Sequence, residues 1–219
     1  METGRHALLF KRLNIKLTAA LALLLTLAAC AATTRILFPV HDDPLKSTPG
    51  VYTLDPAHAN VIFAVNHLGF SLHHGRINQL AGSLELYIQN PKDSRVFISA
   101  TTASIDTNNQ ELDDKLKAKS MFNVEAFPKA SFESTGLQLT GERSARIEGM
   151  LTIKGIRKPL VIEALFIGTG TNPLTGLETV GFSGSASFKR SDFGLKDWLP
   201  LIGDDVTLTI EAEFNRARN

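Results

Sequence analysis

The sequence predicts an all-β fold, a single closed barrel of about eight antiparallel strands with one short helical insert. Three observations lead there. Apolar and polar residues alternate over four clear runs, turn-forming residues recur between runs, and one stretch alone has helical spacing.

Residues 51–54 open the series. In residues 60–67 (NVIFAVNH), Val61, Phe63 and Val65 share one face with His67, while Ile62, Ala64 and Asn66 share the other. Strands are then expected at residues 75–87 and 96–105, separated by the turn NPKDS. Residues 109–120 (NQELDDKLKAKS) read as the helix, with Leu112 and Leu116 four apart, and a short turn at 124–127 follows. Further strands are expected at residues 130–139, 145–153 and 158–167. The turns TGERS (140–144) and GTGTNPLTG (168–176) punctuate them. In residues 181–188, Phe182, Gly184, Ala186 and Phe188 alternate with Ser183, Ser185 and Ser187. In residues 206–214, Val206, Leu208, Ile210, Ala212 and Phe214 oppose Thr207, Thr209, Glu211 and Glu213. Such alternation belongs to antiparallel strands with one wet face. Closure into a barrel removes exposed edges, which favours it over a sandwich. No internal repeat and no second globular domain is visible.

The N-terminus carries different information. Arg5, Lys11, Arg12 and Lys16 precede an apolar run from Leu17 to about Ala32, the pattern of a secretory signal. That run is shorter than the roughly 20 residues a membrane-crossing helix needs. Leu27-Ala28-Ala29-Cys30 resembles the bacterial lipobox, and Cys30 is the chain's only cysteine. The expected division is therefore 1–29 signal peptide, 30–50 lipid-anchored tether and 51–219 barrel. The resemblance implies a membrane partner reached through a lipid on Cys30, on the periplasmic face of a bacterial envelope. Ala31, where an aspartate would signal inner-membrane retention, points to the outer membrane. With a formal net charge of +1, and four basic residues in the signal itself, nothing remains to attract nucleic acid.

Catalytic motifs do not assemble. The histidines, His58, His67, His73 and His74 among them, match no common zinc spacing and have no second cysteine to assist, so no metal site is expected. His73 and His74 read as an exposed turn. Ser191-Asp192-Phe193-Gly194 reads as a turn after a strand, because the other elements of a kinase are missing. Residues 181–185 lack the last glycine of a nucleophile elbow. The pairs Asp113-Asp114 and Asp204-Asp205 read as solvated charge. No catalytic residue and no cofactor is expected.

The block YTLDPAHANVIFAVNHLGFSLHHGRI resembles the opening of the YceI-like family of bacterial polyisoprenoid-binding proteins, with Tyr52, Asp55, His58, Phe63, His67 and Gly75 in place. SIDTNNQELDDKLKAKSMFNVEAFPKASFEST, EGMLTIKGIRKPLVIE and FKRSDFGL resemble its later blocks, in order. Lys115, Met121 and Asn123 depart from the pattern. The resemblance implies a lipocalin-like barrel around an apolar cavity that holds an isoprenoid or quinone-like lipid, carrying or sequestering it without chemistry. The expected lining is Phe63, Val65, His67, Ile98, Phe132, Leu151, Phe182, Gly184 and Phe188, with Gly149 and Ala186 leaving room. Two alternatives stand beside it. One is an enzyme acting on a small lipid or sugar through His67 and a nearby carboxylate; the other is a structural lipoprotein whose barrel is packed solid.

Overall fold

A computed structural model describes residues 37–217. The chain divides into two compact units, Met1–Val40 and His41–Asn219, and all the strands belong to the second. They are β1 (Gly50–His67), β2 (Ser71–Ile77), β3 (Leu80–Leu86), β4 (Arg95–Thr101), β5 (Ile105–Asp106), β6 (Lys129–Leu139), β7 (Ser144–Ile153), β8 (Ile156–Thr171), β9 (Glu178–Lys189) and β10 (Ile202–Arg216). One helix, α1 (Gln110–Lys117), lies between β5 and β6.

The sheet order is β10-β9-β8-β7-β6-β4-β3-β1-β2-β5, and β10 pairs back onto β1. The ring β1, β3, β4 and β6 to β10 is thus a closed antiparallel barrel of eight strands, as the alternation predicts. β2 is the continuation of β3 along the same neighbour. Leu86 to Ser83 pair with Gly50 to Thr53, and Ile77 to Ser71 pair with Val61 to His67. β5 continues β4 in the same way, beside Arg76 and Ile77. The barrel therefore has an upper storey and a lower one.

Pro56 accounts for the change of storey in β1. It has no N–H to give a ladder, so the strand bulges there. Pairing slips from Leu54 opposite Phe214 to Ala59 opposite Ala212, leaving Pro56, Ala57 and His58 exposed. The two runs expected at 51–54 and 60–67 are one bulged strand. The expected turn at 168–176 begins later, because β8 extends to Thr171 and pairs with Glu178 at its end. His73 and His74 are not in a turn either. The β1–β2 hairpin carries them as strand residues, with His73 opposite Val65 and half-buried, and His74 exposed.

The lower end is plugged. Asn109 caps α1 by accepting from the Leu112 N–H at 3.2 Å, and Leu112 and Leu116 pack beneath the barrel with Met121, Phe122, Phe193 and Leu195. Asp113 is buried, accepting from the Thr107 N–H at 2.8 Å and its hydroxyl at 2.7 Å, which ties α1 to the segment after β5. The SDFG stretch is a 3-10 turn, Arg190–Phe193, ended by Gly194 at φ 73°, a conformation that favours glycine. Arg190, buried, donates to the carbonyls of Leu195, Asp197, Ile202 and Gly203. Burial pulls its pKa down, against the opposing pull of Asp204 and Asp197. Asp204 accepts from the Ser191 N–H and hydroxyl. The reading of both aspartate pairs as solvated charge is corrected: Asp114 and Asp205 are exposed, whereas Asp113 and Asp204 hold turns together.

Close packing of the floor makes a prediction. A Cβ on Gly149 would overlap the Phe132 ring and the Glu133 carbonyl, whereas one on Gly181 would meet nothing nearer than 3.8 Å. Gly149→Ala is expected to destabilise by about 1–3 kcal/mol and Gly181→Ala by less than about 0.5 kcal/mol in urea denaturation. Equal effects would contradict the assigned packing.

Candidate functional site

Inward-facing side chains are not packed alike along their strands. On β10, Val206 and Phe214 are buried at the two ends, while Leu208, Ile210 and Ala212 between them are only half-buried. On β8, buried Leu160 and Phe166 bracket half-buried Ile162 and Ala164. All five half-buried residues face a cavity of about 760 Å³. Its wall is overwhelmingly aliphatic and aromatic, and its floor is formed by Phe132, Leu151 and Leu160 above the plug. A barrel packed solid is therefore not what these residues build.

The upper end is the mouth. Leu45, Tyr87 and Leu139 line the cavity and are also exposed to solvent, so they form its rim. Asp42, Arg95, Glu142 and Arg143 add charge there. Both guanidinium groups are already engaged: Arg143 with Asp42 at 2.9 Å and with the Phe166 carbonyl, Arg95 with the carbonyls of Lys92 and Ser94.

A strap crosses this rim. His41 and Thr169 exchange backbone hydrogen bonds at 2.8 Å, and Asp43 caps the 3-10 turn Pro44–Lys46. The Thr48 N–H donates to Glu178, and the buried Tyr52 hydroxyl donates to the Thr48 carbonyl at 2.6 Å. Burial, then the nearby Glu178 carboxylate, push the Tyr52 phenol up to about 12. The expected tether of 30–50 is thus corrected from His41 onward, where the chain is part of the barrel. Its beginning, Cys30 and the 1–29 signal lie outside the described residues.

Of the expected lining, Ile98, Phe132, Leu151, Phe182 and Gly184 do face the cavity. Phe182 meets Phe166 and Phe214 edge-on, with ring centroids 5.5 and 6.1 Å away. Phe63 and Phe188 lie lower, packed against the plug, Phe188 edge-on to Phe193. Val65 pairs with His73 in the lower storey. His67 is exposed at the lower end, its ring 6.4 Å from His73, and no carboxylate hydrogen-bonds it among the described residues. Period two places 61, 63, 65 and 67 on one face correctly, but that face passes from cavity to floor at Phe63. The sequence reading missed Val61, Ala145, Ile162, Ala164 and Ala212. Their signal was present as small or β-branched residues on faces already identified as inward.

Among the described residues, one grouping of ligand-type side chains comes together: Asp55, His58 and Glu213, whose ligand atoms lie within 4.8 Å of one another. The spacing argument against metals did not foresee it. Asp55 there accepts from the Ala57 N–H and from Asn215, and meets His58 Nδ1 at 2.9 Å, so the group pins the Pro56 bulge on the outer surface.

The site and fold define a lipocalin-like binding barrel, plugged below and open above. The YceI-like domain family matches residues 52–214, and the chain belongs to that family. A UPF0312 protein of Pseudomonas aeruginosa is 40% identical over 156 residues, 71% of this chain and 81% of that one. A UPF0312 protein of Shewanella oneidensis is 34% identical over 172 residues, covering 78% and 90%. Among solved structures, Burkholderia cenocepacia BcnA has the same fold at 20% identity, with TM-score 0.66 over 73% of this chain and 98% of its own. A polyisoprenoid binding domain from Saccharophagus degradans superposes with TM-score 0.56 at 15% identity, over 76% and 98%. The near-complete coverage of both shows that a barrel of this extent stands as a unit by itself.

The bulge carries a pH prediction. Hydrogen bonding to His58 holds the Asp55 carboxyl below its ordinary range, and the same contact raises His58. The Asp55 contribution is present above its unfolded pKa and is lost as pH falls through its lower folded one. The His58 contribution is complete below its unfolded value, about 6.5, and is lost as pH rises through its raised folded one. The Tm gap between the native chain and His58→Gln is therefore expected to be widest between about pH 4 and 6.5 and to narrow on both sides. A gap independent of pH would contradict the assignment.

Proposed function

We propose that this chain binds a long-chain isoprenoid lipid, such as a prenyl quinone, in the barrel cavity, and carries or sequesters it in the bacterial envelope. The observation that carries the reading is the set of half-buried apolar side chains in the middle of otherwise packed strands. Apolar wall left without protein partners is wall for an apolar ligand. A volume of about 760 Å³ lies within the usual range for small-molecule sites. Membership of the YceI-like family supports the reading, as does the fold shared with a polyisoprenoid binding domain.

The energetics suit exchange. Each methylene moved from water into the barrel gains about 0.8 kcal/mol, so a prenyl chain does not travel free. Between membrane and barrel that term nearly cancels, which leaves fit and head-group contacts to set the balance. At the mouth, three carboxylates (Asp42, Asp43 and Glu142) face two guanidinium groups that are already occupied. That arrangement suits a neutral polar head such as a quinone better than a phosphate.

The signal-like N-terminus and Cys30 support a lipid anchor, with the outer membrane as its place. The strap brings the chain into the barrel at the mouth, so an anchored molecule would keep its opening on the tethered side.

Native mass spectrometry of the purified barrel, before and after incubation with a prenyl quinone, tests the reading; a barrel that never takes up the lipid would defeat it. Gly184→Phe and Ala164→Phe each place a ring in the cavity from neighbouring positions of β9 and β8. Each is expected to cut uptake about tenfold or more while circular dichroism and Tm change little. Normal uptake by both would exclude this cavity as the site.

A further inference from the structure

We propose that the rim of the cavity is a bilayer-docking surface that inserts Leu45, Leu139 and Leu174 into the leaflet with which the ligand exchanges. The inference rests on the lipid-binding reading of the cavity, and names the surface the site works against.

Apolar side chains at the mouth are held out in water by ordered backbone. Leu174 is 91% exposed, at the tip of the loop joining β8 to β9. Asn172 fixes that loop, its side chain accepting from the Leu174 N–H at 2.9 Å and its carbonyl from the Gly176 N–H at 2.8 Å. Leu45 is 73% exposed on the strap's 3-10 turn, which Asp43 caps by accepting from the Leu45 N–H at 2.9 Å. Leu139, 57% exposed, ends β6 on the same rim. Turns that hold leucines outward face no requirement of the fold, since both cores lie elsewhere.

The occupant follows from the chain's connectivity and charge. The strap is fixed to Thr169 at His41, and residues 31–40 span at most roughly 35 Å when fully extended. An anchor at Cys30 would therefore keep the rim near the membrane. The charges beside the leucines are of both signs and largely paired with one another or with backbone, so the surface suits an apolar, zwitterionic interface rather than a strongly anionic one. A second copy seated here would cover the mouth through which a lipid must pass.

The chain's single tryptophan provides the control. Trp198 lies at the lower end, partly exposed beside Leu201 and the β1–β2 turn, where a second group of exposed apolar residues includes Phe70. The barrel of residues 37–219 would be mixed with phosphatidylcholine vesicles containing brominated acyl chains. Emission from Trp198 in the parent is expected to be unquenched. Emission from a Leu174→Trp, Trp198→Phe variant is expected to be quenched. Leu45→Asp with Leu174→Asp is expected to lower partition into the vesicles about tenfold or more. Quenching of Trp198, no quenching at position 174, or a rim variant that dissolves a dimer in ultracentrifugation instead of a vesicle complex would each overturn the proposal. Uptake of prenyl quinone from detergent is read separately: docking without uptake defeats the carrier reading, and uptake without docking defeats this one.

Discussion

Pairing of β10 with β1 is the constraint on which the rest depends. It runs from Tyr52 opposite Arg216 to His67 opposite Ile202, and it converts a long meander into a ring with the main sheet edges satisfied. Once the ring closes, inward side chains on opposite walls face one another across a fixed width. They must then be large enough to meet or leave a space. In the lower storey they meet, helped by α1, Phe193 and Leu195 from below. In the upper storey alanine and glycine on β8, β9 and β10 keep the walls apart. Cavity and core are two outcomes of one closure.

This division explains why the polar side chains that matter structurally lie outside the cavity. Arg190 and Asp204 organise the lower loop, Asp113 secures the helix, and Asp55 with His58 pins the bulge. Each satisfies groups that the ladder leaves unpaired, as buried or half-buried polar atoms require. At the mouth, Arg143, Asp42, Tyr52 and Glu178 join strap to barrel. The interior between these two belts is left to apolar contact. Its selectivity is therefore mainly one of shape.

Much of this is legible in the sequence. Period two finds the strands because one face of each is wet, and the spacing of Leu112 and Leu116 finds the helix. Three features escape such reading, for physical reasons. The strap has no periodicity, since it is held by backbone exchange at His41 and by side chains more than a hundred residues away, such as Arg143. Pro56 looks like a break between strands, although a bulge absorbs it. Depth along the barrel is invisible: Phe63 and Val61 share a face, yet one packs on the floor and the other lines the cavity. Alternation tells in from out but carries no height.

The half-buried wall has one more consequence, for how such a barrel can diverge. A side chain in the plug is constrained by neighbours on every side, so a change there must be matched by others. Ile162, Ala164, Ile210 and Ala212 have open space in front of them. Substitutions at those positions reshape the cavity while leaving the plug and the ring untouched. A lineage can thus drift from one hydrophobic cargo to another in small steps, with the scaffold inherited nearly unaltered.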